Sequence, residues 1–245
     1  MSDHVILTAE AHADIRIRTE RSAELGDAVM CCMTVPTEFR QVQNEYPILF
    51  RLNAERDSFT ALAMFGFETG ENLFLSESGW DARYRPLAME IQPFLIGTPA
   101  DEAGDKQVHL DMASPRVVAA GGGRGGDEGV RLFDEHGRPT PFLERVAENL
   151  GALDAGYQAS GPFFAALARH RLLEPMALEV PLDDGSTNRL VGFHIIDEDR
   201  LRALDADAVA ELHAEGHLMP IFMAVASLSN LTALIARKNR RVRHG

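Results

Sequence analysis

A stretch of nineteen residues without a charged side chain, Leu218 to Ala236, constrains this fold more than any other feature of the sequence. Its length is close to the roughly 20 mostly apolar residues that a membrane-spanning helix needs. Its middle, however, contains four polar side chains that spread around the circumference of a helix: Ser227, Ser229, Asn230 and Thr232. The sequence therefore predicts a C-terminal helix buried in protein, with its hydroxyl groups hydrogen-bonded, and no integral membrane span.

Five cationic residues follow this stretch: Arg237, Lys238, Arg240, Arg241 and Arg243. The formal net charge of the whole chain is −13, so a basic tail follows an acidic body. The tail indicates either weak contact with an anionic surface or a solvated helix end whose cations complement the helix dipole. The acidic balance argues against nucleic acid as a partner, because binding it requires clustered lysine and arginine.

Length and composition indicate a soluble globular chain. The 245 residues are 45% hydrophobic, which is enough for a substantial core, and we expect one domain over residues 1–245. Within it, residues 1–120 are richer in predicted strands and residues 130–245 are richer in predicted helices. The cysteines are the neighbours Cys31 and Cys32, and the N-terminal residues show no secretory signal, so the sequence predicts a reducing, cytoplasmic location.

Short apolar runs precede longer helical segments along the chain. The runs lie at 47–53, 59–70, 71–75, 94–97 and 107–113, and the polar or glycine turns between them are typical of antiparallel hairpins. Residues 140–173 predict two helices, and residues 176–182 and 188–196 predict a hairpin with further helices after it. The glycine-rich segment 121–129 predicts a surface loop. The predicted fold class is α+β, a mostly antiparallel sheet with helices concentrated in the C-terminal half and a buried C-terminal helix.

One pattern could carry metal chemistry. His109 and Asp111 stand two positions apart on a predicted strand, so the imidazole and the carboxylate face the same way. With His194 on a later strand they would form the two-histidine, one-carboxylate site of non-haem Fe(II) oxygenases, and Arg200 or Arg202 could anchor 2-oxoglutarate. The alternative is a set of ordinary strand residues, because an H-x-D pair arises easily by chance. Apart from Fe(II) under this hypothesis, the sequence predicts no cofactor.

The segment GWDARYRP places aromatic and arginine side chains together, at Trp80, Arg83, Tyr84 and Arg85. Aromatic residues and arginine are enriched where proteins bind one another. We therefore predict a surface for a protein partner here, with the alternative that these residues cap the edge of a sheet.

Four segments indicate a family more readily than an activity: EFRQVQNEYPILFR, TALAMFGFETGENLFL, GWDARYRPLAMEIQPFLIG and LIARKNRR. With them, and along nearly its whole length, the chain resembles the SapC family of bacterial proteins. The resemblance implies a soluble accessory or binding protein, associated with a surface layer or a TonB-type uptake system, and it implies no catalytic residue set. Two alternatives stay open: an Fe(II) oxygenase that uses His109, Asp111 and His194, and a peripheral membrane protein that uses the basic C-terminus.

Overall fold

The computed structural model describes residues 3–97, 106–119 and 128–244. The chain divides into two compact units. Unit 1 comprises Met1–Asp27, Glu77–Trp80 and Leu87–Asp154, and unit 2 comprises Ala28–Ser76, Asp81–Pro86 and Ala155–Gly245. Each unit is assembled from three separate pieces of sequence, so neither coincides with residues 1–120 or 130–245. The expectation of a single domain stays a prediction, and residues 121–127 of the expected glycine-rich loop lie outside the described residues.

The strands are short except for the last two. In chain order they are β1 (His4–Ile6), β2 (Arg16–Ile17), β3 (Cys31–Thr34), β4 (Ile48–Leu52), β5 (Phe59–Met64), β6 (Leu75–Ser76), β7 (Gly79–Trp80), β8 (Phe94–Gly97), β9 (Gln107–Asp111), β10 (Val117–Val118), β11 (Val130–Arg131), β12 (Leu173–Pro181) and β13 (Thr187–Ile196). The two long strands, β12 and β13, form the hairpin that the sequence predicts. Gly185 in its turn has a φ angle of 85°, in the left-handed region that glycine adopts without steric cost.

The helices are longest in the C-terminal half. In chain order they are α1 (Ala9–His12), α2 (Phe39–Val42), α3 (Leu87–Glu90), α4 (Pro141–Gln158), α5 (Ser160–Arg169), α6 (Glu198–Arg202), α7 (Ala206–Ala214), α8 (Leu218–Ser227) and α9 (Asn230–His244), with a 3-10 turn at Ala23–Leu25. Asp197 and Asp205 begin α6 and α7, because their side chains accept hydrogen bonds from the N–H groups of Arg200 and Ala208. The predicted concentration of helices in this half is confirmed.

Unit 1 is built on two three-stranded antiparallel sheets, in the orders β1-β9-β8 and β10-β2-β11. Apolar residues alternate around β2 and recur every three or four positions on α4, so both elements present one apolar face. These faces and their neighbours form the core: Ile15, Ile17, Phe94, Leu110, Leu132, Phe133, Leu143, Val146 and Leu150. This core positions β9, which carries His109 and Asp111.

Unit 2 contains a five-stranded sheet in the order β12-β13-β4-β5-β3, in which every neighbouring pair is antiparallel. The central strand β4 begins with Ile48, Leu49 and Phe50, which are all almost fully buried, as expected for a strand covered on both faces. The ring of Phe164 on α5 packs edge-on against Phe50, with centroids 6.2 Å apart. The predicted α+β class with antiparallel pairing is therefore confirmed.

Residues 71–75 correct one expectation, because the apolar run there predicts a strand. The structure forms a turn, and only Leu75 of this run enters a strand. Glu71 accepts a hydrogen bond from the Phe67 N–H at 2.9 Å, and Asn72 accepts one from the Phe74 N–H at 2.9 Å. Side-chain bonds of this kind offer the backbone an alternative to pairing in a sheet.

The C-terminal segment corrects the expectation of a single buried helix. It forms two successive helices, α8 and α9, which are separated at Leu228 and Ser229 and buried on one side only. The buried side consists of Ile221, Ala224, Ser227, Leu234 and Lys238. The Ser227 hydroxyl is buried, donates to the Ala224 carbonyl and accepts from the Ile48 N–H of β4. The Ser229 hydroxyl is exposed and donates to the Ala226 carbonyl. The predicted burial of a hydrogen-bonded hydroxyl group is therefore confirmed at Ser227 and wrong at Ser229.

One stretch of the described residues, Leu218–Arg243, is long and apolar enough to cross a membrane. Its most apolar window has a mean hydropathy of 1.8, and 22% of that window is buried. No further stretch in the described ranges passes the same test, so they contain no feature of a multi-span membrane protein.

Candidate functional site

The C-terminal cations are mostly bound within unit 2. Arg237 donates to the Asp81 carboxylate at 2.7 Å, and its guanidinium carbon lies 4.4 Å from the centre of the Phe74 ring. Arg241 donates to the backbone carbonyl of Asn72 at 3.2 Å. Such contacts fix α9 against the segment that leads into β6, and they combine charge, hydrogen bonding and cation–π attraction.

Lys238 is the most enclosed of these cations, with 7% of its surface exposed. Its ammonium group donates to Glu71 at 2.7 Å and to Glu68 at 3.1 Å. Burial acts to lower the pKa of Lys238, but the hydrogen bonds and charges of Glu71 and Glu68 outweigh it and raise that pKa. Hydrogen bonds from Asn188 and then Lys238 lower the pKa of Glu68. Lys238 and Glu68 therefore stay charged at neutral pH.

Arg240 and Arg243 lie further along α9 and differ in their contacts. Arg243 pairs with Asp183 at 2.5 Å. Arg240 is exposed and forms no hydrogen bond or ion pair with the residues that the structure describes. Four of the five cations thus act inside unit 2, which leaves little free charge for the anionic surface that the tail predicts. That contact stays a prediction.

The exposed side of α8 and α9 is an uncharged surface that we call the C-terminal face. It consists of Met219, Phe222, Ala226, Ser229, Ala233 and Ala236, which are all exposed. Met219 and Phe222 are 56% and 54% exposed, although large apolar side chains are normally buried. Contiguous exposed apolar residues mark interaction surfaces more often than isolated ones do. The sequence shows the three- and four-residue spacing of these positions. It does not show which side of the helices faces solvent, because the positions between them are also apolar.

Charged residues lie at both ends of the C-terminal face. In the turn between α7 and α8, Glu215 pairs with Arg169 at 2.8 Å and lies 3.5 Å from the His217 ring nitrogen. The Glu215 side chain is 39% exposed. At the other end, the face stops at the exposed Arg240. The surface is therefore apolar along its middle, acidic beside one end and basic at the other.

The two closely spaced members of the expected iron site lie on β9 of unit 1. The ring of His109 lies against Gly97 of β8, where an added Cβ would come within 1.9 Å of the imidazole Nε2. Asp111 accepts hydrogen bonds from the backbone N–H groups of Asp3 at 2.9 Å and Ala113 at 3.1 Å. Both side chains therefore have contacts that stabilise the sheet.

His194, the third member, lies on β13 of unit 2. Its ring packs edge-on against Phe59, with centroids 5.0 Å apart. Burial, and then the charge of Arg56, lowers the pKa of His194, and its Nδ1 is buried without a hydrogen-bond partner among the described residues. Those residues contain no group of three His, Cys, Asp or Glu side chains that could hold a metal ion. The Fe(II) site stays a prediction that gains no support from this arrangement.

The arginines expected to anchor 2-oxoglutarate pair with acids beside or within α6. Arg200 pairs with Asp197 at 2.9 Å. Arg202 reaches Glu198 at 2.8 Å and Asp199 at 2.7 Å. These short-range pairs are typical of an exposed helix surface, where each stabilises the helix by a few tenths of a kcal/mol.

The expected partner surface around Tyr84 is partly tied into unit 2. The Tyr84 hydroxyl donates to Glu38 at 2.7 Å, and the Tyr84 carbonyl accepts from the Tyr46 hydroxyl at 2.5 Å. The side chain of Arg83 is 88% exposed. Trp80 belongs to unit 1, whereas Arg83, Tyr84 and Arg85 belong to unit 2. Tyr84 thus stabilises the fold, and the partner surface stays a prediction.

Unit 1 also contains an open apolar pocket of about 440 Å³ that the sequence did not indicate. Its lining includes Ile6 on β1, Val108 on β9, and Phe133 and Leu143 from the core. Glu144 contributes a carboxylate at the first turn of α4. The lining combines strands and a helix that lie far apart in sequence, so no local pattern could have revealed it.

Comparison with known proteins gives one match. The family model SapC matches residues 7–234, which is most of the chain and includes residues of both units. No curated protein and no solved structure matches the chain significantly.

Proposed function

The chain belongs to the SapC family, and from this membership we propose that it is a non-catalytic binding protein that docks a partner protein through the C-terminal face. Association with a surface layer or a TonB-type uptake system is part of the proposal and rests on the family resemblance alone. A cytoplasmic location is likewise an expectation of the sequence.

One observation carries the proposal, the exposure of Met219 and Phe222 on a face without charge. Each of them leaves more than half of its surface in water. Burying such side chains against a partner contributes roughly 25 cal/mol for each Å² of apolar surface removed from water. Methionine and phenylalanine are also enriched at the centres of protein interfaces. A partner protein of matching shape would therefore gain most of its affinity here.

A site-specific photo-crosslinker tests the proposal in the bacterium that carries the gene. Placed at position 222, it should form a defined adduct with another protein molecule, because Phe222 is one of the two large exposed side chains on the face. The matched control places it at Tyr157, which is 56% exposed on α4 in the same unit. The protein identified in the adduct and this chain should then bind each other when both are purified. Phe222→Glu should abolish that binding. Equal adducts at 222 and 157, or none, would contradict the proposal.

A membrane surface is the second candidate, favoured by the mean hydropathy of 1.8 in the most apolar window of Leu218–Arg243. Removal of residues 237–245 is a poor test, because it also removes Lys238 and its bonds to Glu68 and Glu71. The better variants are Arg240→Glu and Phe222→Glu, which change exposed side chains only. Sedimentation with anionic vesicles should fall for both if the face lies on lipid, and should stay at the neutral-vesicle level if it does not.

The oxygenase hypothesis has a test that does not depend on the C-terminal face. An anaerobic Fe(II) titration, with and without 2-oxoglutarate, compares the chain with its His194→Ala and Asp111→Ala variants. Stoichiometric binding that both variants lose would establish the site and contradict a non-catalytic role. The contacts of His109 and Asp111 within their sheet lead us to expect no such binding.

A further inference from the structure

The exposed residues of the C-terminal face follow the spacing of a coiled-coil seam. Positions 219, 222, 226, 229, 233, 236 and 240 are separated by alternating steps of three and four, and all seven are exposed. This alternation repeats every seven residues and keeps one straight line of side chains facing a second helix. It continues across the junction at Leu228 and Ser229, so α8 and α9 present one continuous seam. The buried side of the same helices is used within unit 2, which leaves this seam for a partner.

The seam is self-complementary in the sizes of its side chains. Its first half contains the large Met219 and Phe222, and its second half contains small residues. In an antiparallel pair of copies centred between positions 227 and 228, Met219 meets Ala236 and Phe222 meets Ala233. Alternating large and small residues across facing positions is how packed layers interdigitate without voids. A parallel pair would instead set Phe222 against Phe222 and leave the small residues apart.

The charges at its ends fit the same register. In the antiparallel pair, Arg240 of one copy lies beyond Met219 of the other, beside the turn before α8 that contains Glu215. Arg240 has no partner within the described chain, and Glu215 keeps part of its surface exposed beside Arg169. A parallel pair would place Arg240 beside Arg240, which is repulsive. The sizes of the side chains therefore select the antiparallel orientation, and it also avoids the contact between two Arg240 side chains.

We propose that the partner protein at the C-terminal face is a second copy of this chain, bound antiparallel about a two-fold axis at the junction of α8 and α9. This inference rests on the proposed function and identifies its partner. A two-fold axis makes each contact occur twice, so at both ends of the seam Arg240 of one copy lies beside the turn that contains Glu215 of the other. The seam from position 219 to position 240 is about 32 Å long at 1.5 Å per residue, which gives a small interface and a weak, reversible dimer.

Sedimentation measurements over a range of concentrations test the dimer. We expect a dissociation constant on the order of 10 µM for the unmodified chain. Phe222→Glu should leave a folded monomer up to about 500 µM, because it buries a charge against Ala233 of the second copy. The matched control Tyr157→Glu, which changes an equally exposed side chain on α4, should leave the dissociation constant unchanged. Circular dichroism of both variants establishes that they remain folded.

A charge exchange tests the register. Arg240→Glu alone, and Glu215→Arg alone, should each weaken the dimer about fivefold. The double variant should recover most of the lost affinity, because each pair is restored with its signs reversed. Equal and additive losses in the double variant would overturn the antiparallel register.

Disulfide formation tests the register a second time. One copy carries Met219→Cys and the other carries Ala236→Cys, each in a background without Cys31 and Cys32. A mixture of the two copies should form disulfide-linked dimers, whereas either copy alone should not.

The outcomes separate this inference from the proposed function. An unmodified chain that stays monomeric at about 500 µM overturns the inference. The proposed function then survives if the crosslinker at Phe222 captures a different protein that binds in purified form. It fails as well if Phe222→Glu instead removes binding to anionic vesicles, which would assign the face to a membrane.

Discussion

Lys238 is the most enclosed of the charged residues that hold α9 in unit 2. Replacing it with alanine leaves Glu71, whose side chain is 10% exposed, beside Glu68 without a cation. We expect Lys238→Ala to lower the free energy of unfolding by about 2–4 kcal/mol, because removing one partner of a largely buried ion pair leaves an uncompensated charge. Urea unfolding followed by circular dichroism measures the change.

The neighbouring Arg240 provides the control for that change. Arg240→Ala removes a cation of the same helix that is exposed and forms no bond with the described residues. Its free energy of unfolding should stay within about 0.5 kcal/mol of the unmodified chain. Equal losses for the two variants would show that the helix dipole, and not the ion pairs of Lys238, accounts for the stabilisation.

His194 gives the stability of the protein a pH dependence near neutrality. Its pKa in the folded chain is lowered by burial and by Arg56, so the unfolded chain binds a proton that the folded chain resists. The free energy of unfolding should therefore fall as the pH drops below about 6.5, the ordinary value for histidine. We expect His194→Gln to make this decrease shallower between about pH 7.5 and 5.5, in urea titrations at each pH.

The carboxyl groups whose pKa values are lowered act in a different range. The hydrogen bond from the backbone N–H of Arg138 is the largest cause that holds the pKa of Asp134 at about 2. The contribution of Asp134 to the free energy of unfolding is therefore lost only in strong acid.

The variant His213→Gln, at an exposed position of α7, serves as the control for His194→Gln. A decrease that is unchanged in His194→Gln but shallower in His213→Gln would contradict the assignment.

At the scale of the element, α8 is attached to the central sheet strand through one hydroxyl group. Ser227 is fully buried, and its Oγ accepts a hydrogen bond from the Ile48 N–H of β4 at 2.9 Å. Ser227→Ala leaves that N–H without an acceptor, so it should cost about 1–3 kcal/mol of unfolding free energy. Ser229→Ala is the matched control, since Ser229 is exposed and its hydroxyl bonds to the Ala226 carbonyl of the same segment. Thermal unfolding of the two variants measures whether the bond between Ser227 and Ile48 stabilises the fold.

The elements differ in how well their sequence predicts them. β4 and β5 follow from dense apolar runs between polar turns, and α7 follows from the cap at Asp205. The apolar run at 71–75 predicts a strand that does not form, because the side chains of Glu71 and Asn72 accept hydrogen bonds from nearby backbone N–H groups. Strand propensities do not include such bonds. The exposed side of α8 was hidden because its buried side is apolar too, so the pattern lacks the polar stripe that normally marks a solvent face.

At the scale of the whole molecule, a buried cluster of charges determines the stability of unit 1. Asp27 and Arg116 are 0% and 1% exposed, and their side chains pair at 2.5 Å. Arg116 also donates to the carbonyls of Arg18 at 3.2 Å and Glu20 at 2.9 Å. Every bond of this cluster joins groups that are costly to leave unpaired, so its members depend on one another.

Asp27→Ala should therefore be the most damaging of the substitutions considered. It leaves the Arg116 guanidinium buried without its carboxylate, at an expected cost of about 3–5 kcal/mol. The midpoint of thermal unfolding should fall by roughly 2–4 °C for each kcal/mol in a chain of this size. Glu24→Ala, at an exposed position of the same unit, should change neither quantity measurably. A loss for Asp27→Ala no larger than for Glu24→Ala would show that the cluster contributes nothing.

The division into two units lay beyond the sequence because the contacts that define it are distant along the chain. Arg116 and Asp27 are 89 positions apart, and Lys238 and Glu68 are 170 positions apart. Local sequence patterns predict strands, helices and helix caps, but they do not predict which charged residues pair when they are far apart in the sequence. The same limit applies to the C-terminal face, whose residues were each visible in the sequence while their exposure depends on what packs opposite.

The pairing of Lys238 with Glu68 and Glu71 also has a consequence during protein synthesis. The ribosome makes the two glutamates 170 and 167 residues before the lysine that neutralises them. Throughout that interval the strands β4 and β5 are complete, yet the turn after them lacks its counter-ion, and for most of it α8 has not been made. Unit 2 therefore reaches its final form late in translation, and its early half is the part of the nascent chain with most need of a chaperone.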